Sequence, residues 1–316
     1  MKRILLLSAG TNACYHISKT LKEKFSNDFY IVGCDINQVY LIPTAPYLDA
    51  FYQVPYSSDP NYYQTVLDIC SKEKIDFLIP SFDSDQKLFC PENPDLIKIG
   101  VKSFGTSQET LPIYDNKIAM SNFLKKNGFI VPKTYSPDEC DANTSYMVKP
   151  KNGCGSIGAG IRKGCDIIGH DWSEYIIQEC CSEPEVTMEC FTFAGKVSTI
   201  CRERIATKAG VCTKARIFSD SQLESIAKKF IITLKTPHIF NLQFMKNQNG
   251  EYAITDVNLR TAGGMSLSYA AGWDEVSALA KIMLGKTGQD VMNTLPTQTP
   301  ETFVVRAYTD IVTKRK

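Results

Sequence analysis

The chain has 316 residues, too many for the usual single hydrophobic core, so two or three domains are expected. With 43% hydrophobic residues, 22% charged residues and a formal net charge of +1, it has the composition of an ordinary soluble globular protein. No basic block is large enough to suggest nucleic acid or an anionic membrane as a partner, so the ligands should be small molecules.

The twelve cysteines are scattered and show no C-x-x-C spacing. In a chain this long they read as reduced, buried thiols, which implies a cytoplasmic protein. Only three histidines are present, none beside a cysteine pair, so no zinc site is expected. The first apolar run, Ile4 to Leu7, is far shorter than the roughly 7–15 residues of a signal-peptide core. It reads instead as a buried strand. No apolar stretch approaches the roughly 20 residues needed to span a bilayer.

Strand-like runs at 3–8, 30–35, 75–80 and 97–101 alternate with helical spacing at 12–25 and 61–74. This alternation predicts a parallel sheet covered by helices, a Rossmann-like domain over residues 1–112. Gly10 after the first strand and Asp35 after the second suggest a dinucleotide site. The fingerprint's further glycines are missing, because Thr11, Asn12, Ala13 and Cys14 follow Gly10. The turn therefore reads as structural.

From residue 113 the pattern changes. A helix over 115–129 with its C-cap at Gly128 precedes short strands at 146–150, 158–161 and 175–179, predicting a small α+β lobe over 113–185. Residues 186–316 hold longer strands at 186–193, 196–205, 240–246 and 251–258 around a helix at 221–234. Asn249-Gly250 marks a hairpin turn between the last two strands.

The stretch MVKPKNGCGSIGAGI (147–161) places Lys149 beside Gly153, Gly155, Ser156, Gly158 and Gly160. Glycines here let backbone N–H groups approach an anion closely, and Lys149 supplies the positive charge a phosphate chain needs. The P-loop pattern is absent. YIIQECCSEPE (175–185) is a strand ending in Glu179 and Glu185, a backbone and carboxylate pattern that can read an adenine edge and a ribose. In NLQFMKNQNGEYAITDVNLR (241–260), Gln243 lies across a hairpin from Asp256, Asn258 and Arg260, which period-two alternation puts on one face. Hard oxygen donors with few charges suit Mg²⁺ shared with substrate phosphates.

Lys117 in DNK, Lys149 with its glycine loop, Glu179, NLQF, DVNLR and TAGG together resemble the ATP-grasp superfamily, and in it the carbamoyl-phosphate-synthase-like branch of carboxylate–amine ligases. The resemblance covers nearly the whole chain. It implies a Rossmann-like pre-ATP-grasp domain followed by a two-lobed ATP-grasp fold, a mixed α/β and α+β protein. ATP would lie between the lobes, with Lys117 and Lys149 on its phosphates. Gly153, Gly155, Ser156 and Gly158 would form the phosphate flap, Glu179 would read adenine, and Glu185 would hold ribose. Gln243, Asp256 and Asn258 would bind Mg²⁺, which Mn²⁺ could replace, and Arg260 would neutralise the γ-phosphate or acyl phosphate. Arg202 and Arg204, two apart on a strand, are expected to add cations to the same pocket.

The implied activity is ATP-dependent ligation of a carboxylate, as its acyl phosphate, to an amine or other nucleophile. Two small-molecule substrates and a homodimer follow from the same resemblance. Asp256 stands where the family usually has glutamate, one methylene longer, so the second metal could be bound more weakly. That departure is the basis of the alternative reading, an ATP-binding scaffold or sensor without coupling activity. Leu259 stands where proline is common.

Overall fold

A computed structural model describes residues 1–153, 157–208, 210–307 and 309–314 of the chain. The first domain is a five-stranded parallel sheet of β1 (Lys2–Leu6), β2 (Phe29–Asp35), β3 (Ala50–Gln53), β4 (Phe77–Ile79) and β5 (Lys102–Ser103), in the order β3-β2-β1-β4-β5. Period-two alternation sends Ile4, Leu6 and Ile31 to one face, under the helix Asn12–Lys24, and Leu5, Val32 and Cys34 to the other, under Tyr62–Glu73. Both faces are buried, which is why β1 and β2 read as continuous apolar runs.

The expected strand at 97–101 is instead a short helix, Pro94–Lys98, followed by β5. Asn93 caps that helix, accepting from the Asp95 and Leu96 amides, and Pro94 occupies its first turn. Gly100, at φ +79°, then reverses the chain. Of the apolar residues in this segment, Leu96 is buried while Ile97 is 61% exposed.

The helix Lys117–Lys126 leads into the small lobe. It stops at Asn127, and Gly128 at φ +69° makes the left-handed exit expected after its last turn. The lobe is a four-stranded antiparallel sheet of β6 (Thr134–Tyr135), β7 (Ser145–Pro150), β8 (Gly160–Lys163) and β9 (Tyr175–Glu179), ordered β6-β9-β7-β8.

The third sheet contains β10 (Ser182–Phe193), β11 (Lys196–Lys208), β12 (Val211–Phe218), β13 (Ile239–Lys246), β14 (Tyr252–Asn258) and β15 (Thr302–Val305), ordered β14-β13-β10-β11-β12-β15. Its apolar face, with Val186, Met188, Leu242 and Phe244, packs on the helix Ser221–Thr233 through Leu223, Ala227 and Phe230. The register puts Thr187 opposite Gln243 and Glu189 opposite Asn241, so these polar residues share the other face.

The first domain and the third sheet share one core. Ala13, Ile17 and Leu21 of Asn12–Lys24 join Trp273, Val276 and Leu279, the last two from the helix Glu275–Met283. At this seam His16 stacks edge-on against Tyr269, with ring centroids 4.6 Å apart. Among the described residues, no helix is long and apolar enough to cross a membrane, and the eleven described cysteines are free thiols.

Burial pushes the His16 imidazole down to about 4; Asp274 opposes this, while Lys19, Lys24 and Arg306 add to it. Its folded value lies below the ordinary 6.5, so the unfolded chain takes up the proton first as the pH falls. The His16 contribution is intact above pH 6.5 and is lost progressively down to about pH 4, a loss of about 3 kcal/mol. His16→Phe, which keeps an aromatic ring against Tyr269, should flatten that part of the stability–pH profile. Parallel denaturation midpoints of the two proteins between pH 7 and pH 4 measure the difference; identical profiles would place the acid lability elsewhere.

Candidate active site

The cleft forms where the small-lobe sheet meets β14, the edge strand of the large sheet. It consists of two adjoining cavities of about 380 and 420 Å³. Both are lined by Lys117, Lys149, Gly153, Gln178, Thr255 and Asp256. The larger continues past Met147, Ile161, Cys181 and Glu185, and the smaller past Asp83, Tyr114, Asp115 and Asn258.

Lys149 stands at the junction. Its Nζ donates to the Thr255 carbonyl at 3.1 Å. That carbonyl belongs to a β-bulge: Gln243 pairs with Asp256 and Phe244 with Ile254, leaving Thr255 as the extra residue. The bulge also resets the alternation. Simple period-two spacing would put Ile254 and Asp256 on one face. With the extra residue, Ile254 and Val257 both join the apolar core, and Asp256 lines the cleft. Burial pulls the Lys149 ammonium below its ordinary value, the Asp256 charge opposes this, and Lys117 adds to it.

Lys117 begins its helix, and its Nζ donates to the Gly153 carbonyl at 2.7 Å. Its amide donates to the Lys151 carbonyl at 2.8 Å. Gly153 adopts φ +116° and Gly158 φ +76°, conformations that favour glycine. The two expected lysines and Gly153 are thus brought together, whereas Gly158 packs against Pro150 and lines neither cavity. Gly155 and Ser156 lie outside the described residues.

Gln243 and Asp256 face each other across the β13–β14 ladder, and Asn258 lies opposite Asn241. Among the described residues no three His, Cys, Asp or Glu side chains converge. The donor set here is one carboxylate and two amides, which suits Mg²⁺ when substrate phosphates supply further oxygens.

Glu179 lines the larger cavity, but its carboxylate is engaged elsewhere. Oε1 accepts from the Lys133 amide at 2.7 Å and Oε2 from the Gln248 amide at 3.3 Å. The side chain therefore braces the cavity wall. Glu185 lines the same cavity while paired with Arg204, whose Nη2 also donates to the Gly210 carbonyl at 2.9 Å.

Arg202 corrects the sequence reading. It shares a face with Arg204, as alternation requires, yet it is 3% exposed and lines neither cavity. Its Nε and Nη2 donate to Glu189 Oε1 at 3.1 and 2.9 Å. The guanidinium packs against Gly264, where an added Cβ would lie 2.4 Å from Cζ. Arg202 thus supports the Thr261–Gly264 turn from beneath.

Arg260 follows β14 and reaches into the first domain. Its Nε donates to Asp83 Oδ1 at 2.9 Å and its Nη2 to Asp83 Oδ2 at 3.2 Å. Nη2 also donates to Asn258 Oδ1 at 3.3 Å, and the Tyr114 hydroxyl donates to Asp83. Lys87 pairs with Asp115 in the same cavity wall. Sequence reasoning missed Asp83, Tyr114, Lys87 and Asp115. Asp83 sits in SFDSDQ, which carries no spacing signal, although it directly follows the strand–loop segment ending the fourth buried run.

With this geometry established, comparison with known proteins gives a consistent picture. Residues 4–104 match the family described as PylC-like, N-terminal domain, and residues 171–309 the family described as ATP-grasp in the biosynthetic pathway with Ter operon. The carbamoyl phosphate synthase large chain of Methanobrevibacter smithii is 22% identical over 279 residues, covering 78% of this chain and 26% of that protein. This chain thus spans about a quarter of that curated relative's length. Among solved structures, the L-amino acid ligase of Bacillus licheniformis superposes with a TM-score of 0.71 at 12% identity, covering 93% of this chain and 77% of that one. The N5-carboxyaminoimidazole synthetase of Staphylococcus aureus superposes with a TM-score of 0.69 at 12% identity, covering 95% and 80%. At such identity these structures establish the fold. Together with the two matched segments and the curated relative, they liken this chain to ATP-grasp proteins, carbamoyl phosphate synthase among them.

Proposed function

We propose that this protein is an ATP- and Mg²⁺-dependent ligase that activates a carboxylate as its acyl phosphate and couples it to an amine or another nucleophile. The observation that carries this reading is the junction of two cavities at Lys117, Lys149 and Asp256. One cavity has the apolar walls suited to a nucleoside, and the other opens toward the first domain. A phosphate chain crossing the junction would meet two ammonium groups, the Gly153 turn and one carboxylate.

In this reading a carboxylate oxygen bonds to the γ-phosphorus, and the bond to the β-bridging oxygen breaks as ADP leaves. The nucleophile then bonds to the acyl carbon, and phosphate leaves with the electron pair of the broken C–O bond. Lys117 and Lys149 orient the phosphates and offset charge that spreads over the transferring group. Asn258 and Asp83 hold Arg260 beside this junction, from where its guanidinium can take the substrate carboxylate or the acyl phosphate. Gln243, Asp256 and Asn258 would hold Mg²⁺, which supplies charge neutralisation when bound. Binding in a cleft between two lobes also excludes water from the acyl phosphate.

Hydroxylamine trapping with ATP, Mg²⁺ and a panel of carboxylates tests the reaction class. A hydroxamate is expected from one of them. ADP release accompanied by a stably phosphorylated substrate and no hydroxamate would instead identify a kinase on this fold. ATP binding with no substrate-dependent ADP release would favour the scaffold or sensor reading.

Two sets of variants test the site. Asp256→Asn and Asn258→Ala should abolish ATP turnover while leaving the fold intact; wild-type turnover at limiting Mg²⁺ would exclude them as ligands. Lys149 should trade stability for function, because the cleft holds its ammonium partly out of water. Lys149→Met should stabilise the ligand-free protein by about 1–4 kcal/mol. It should also remove the roughly 2.7 kcal/mol of stabilisation that nucleotide gives at about 100 times its dissociation constant. The ligand-free wild type should gain stability as the pH rises through the lowered Lys149 value toward 10.5, and the variant should not. Thermal unfolding with and without Mg-ATP measures each effect; an unchanged nucleotide shift in Lys149→Met would remove Lys149 from the phosphate site.

A further inference from the structure

The smaller cavity meets a carboxylate before it meets Arg260. Asp83 lines that cavity and Arg260 does not. The two side chains are paired fork to carboxylate, and each is only 19% exposed. This is the geometry in which a guanidinium takes a carboxylate in general. A substrate carboxylate seeking Arg260 must therefore displace Asp83, and it approaches against the charge of Asp83.

Displacement leaves Asp83 without its guanidinium in a mostly enclosed wall. Removing one partner of such a pair costs more than the pair itself is worth. A simple carboxylate offers nothing in return. A molecule carrying its own cation beside the carboxylate does, because its ammonium can move onto Asp83 as its carboxylate moves onto Arg260. We propose that the carboxylate activated in this cleft belongs to a zwitterionic amino acid, and that Asp83 determines this specificity by taking its ammonium group.

The rest of the wall agrees. Lys87 and Asp115 form a second ion pair in the same cavity, and the hydroxyls of Ser57 and Ser84 line it as well. On the side of the cavity formed by the first domain the charges are thus presented as matched pairs, which suits a dipolar molecule. The ammonium groups of Lys117 and Lys149, unpaired among the described residues, lie at the junction with the larger cavity. Asn258 ties Arg260 to the proposed metal ligands, so the carboxylate held there is the one next to the transferring phosphoryl group. An amino group kept as ammonium on Asp83 has no lone pair with which to attack its own acyl phosphate. The nucleophile must then be a separate molecule, and the ammonium-bearing substrate is the electrophile.

The inference rests on the ligase reading, and hydroxylamine separates the two, because it is a neutral nucleophile that needs no ammonium site. Wild-type protein with ATP, Mg²⁺ and hydroxylamine should convert a free amino acid to its hydroxamate roughly 30-fold more efficiently than the deaminated or N-acetylated acid. Asp83→Asn should reduce that preference to about threefold or less, chiefly by raising KM for the amino acid. Asp83→Glu should keep part of it. Mg-ATP-induced thermal stabilisation reports whether each variant is folded; if Asp83→Asn is not, Asp83→Glu and the wild-type substrate series carry the comparison. Hydroxamate formed equally well from deaminated acids, or an unchanged preference in folded Asp83→Asn, would overturn the proposal and leave the ligase reading standing. Hydroxamate from neither class of acid would overturn both.

Discussion

A lysine ammonium held between two sheets is the constraint around which this cleft is built. Removing such a charge from water costs several kcal/mol unless partners surround it. Lys149 has two kinds of partner. One is the Thr255 carbonyl, displaced from the regular ladder by a β-bulge, and the other is the charge of Asp256 beside it. The same bulge resets the alternation of β14, so that Ile254 and Val257 enter the core while Asp256 lines the cleft. One extra residue in one edge strand thus supplies both an acceptor for the lysine and the orientation of the carboxylate next to it. Lys117 donates to the Gly153 carbonyl, and both ammonium groups line the two cavities. Phosphate would replace these modest contacts with charged ones, and that difference is the source of binding energy.

The polar face of the large sheet faces the same problem farther from solvent. Glu189 is 1% exposed and Arg202 3% exposed, and the two form an ion pair under the Thr261–Gly264 turn. Glu275, 2% exposed, lies close enough to this pair to feel its charges. Burial, reinforced by the Glu189 charge, pushes the Glu275 carboxyl well above the usual carboxylate range. That environment favours the neutral acid, which places less charge beside the Glu189–Arg202 pair. Glu189 Oε2 and Glu275 Oε1 have no hydrogen-bond partner among the described residues. The protonated form of Glu275 would reduce this acceptor excess by supplying one donor. Packing of the Arg202 guanidinium on Gly264 explains why the last residue of TAGG, just beyond Arg260, carries no side chain.

Much of this was legible because it follows from period. The buried runs of β1, β2 and β4, the strands flanking the glycine stretch and the Asn249-Gly250 turn all appear where alternation or turn chemistry put them. The family likewise was legible, because its motifs occur in order along the chain. What escaped is what period cannot encode. The segment at 97–101 alternates like a strand, yet the Asn93 cap and Pro94 make it a helix and Gly100 ends it. Arg202 and Arg204 look equivalent at i and i+2, yet one is covered by a turn sixty residues downstream in sequence. Glu179 looks like a ligand for a nucleotide, yet two backbone amides from distant loops take its oxygens. Each depends on what packs over a side chain, and a single sequence does not carry that information.

Asp83 is the clearest case, and it changes the role of the first domain. The missing glycines of a dinucleotide fingerprint remove one reason for a Rossmann-like sheet but do not supply another. The helix Asp83–Leu88 does. Asp85 anchors it to the domain's interior, accepting from Ser8 Oγ at 2.8 Å and from the Tyr62 hydroxyl at 2.7 Å. Two residues earlier, Asp83 points the other way, to Arg260 and Tyr114. Ser8 lies directly after β1 and Asp85 soon after β4, so this bracing comes from the carboxyl ends of adjacent parallel strands. That is where open parallel sheets ordinarily bind their ligands. In this protein the crevice instead carries a helix that brings one carboxylate to Arg260. On the proposed reading, the first domain is the wall against which a substrate would be sorted, while the two later lobes would keep the phosphoryl chemistry to themselves.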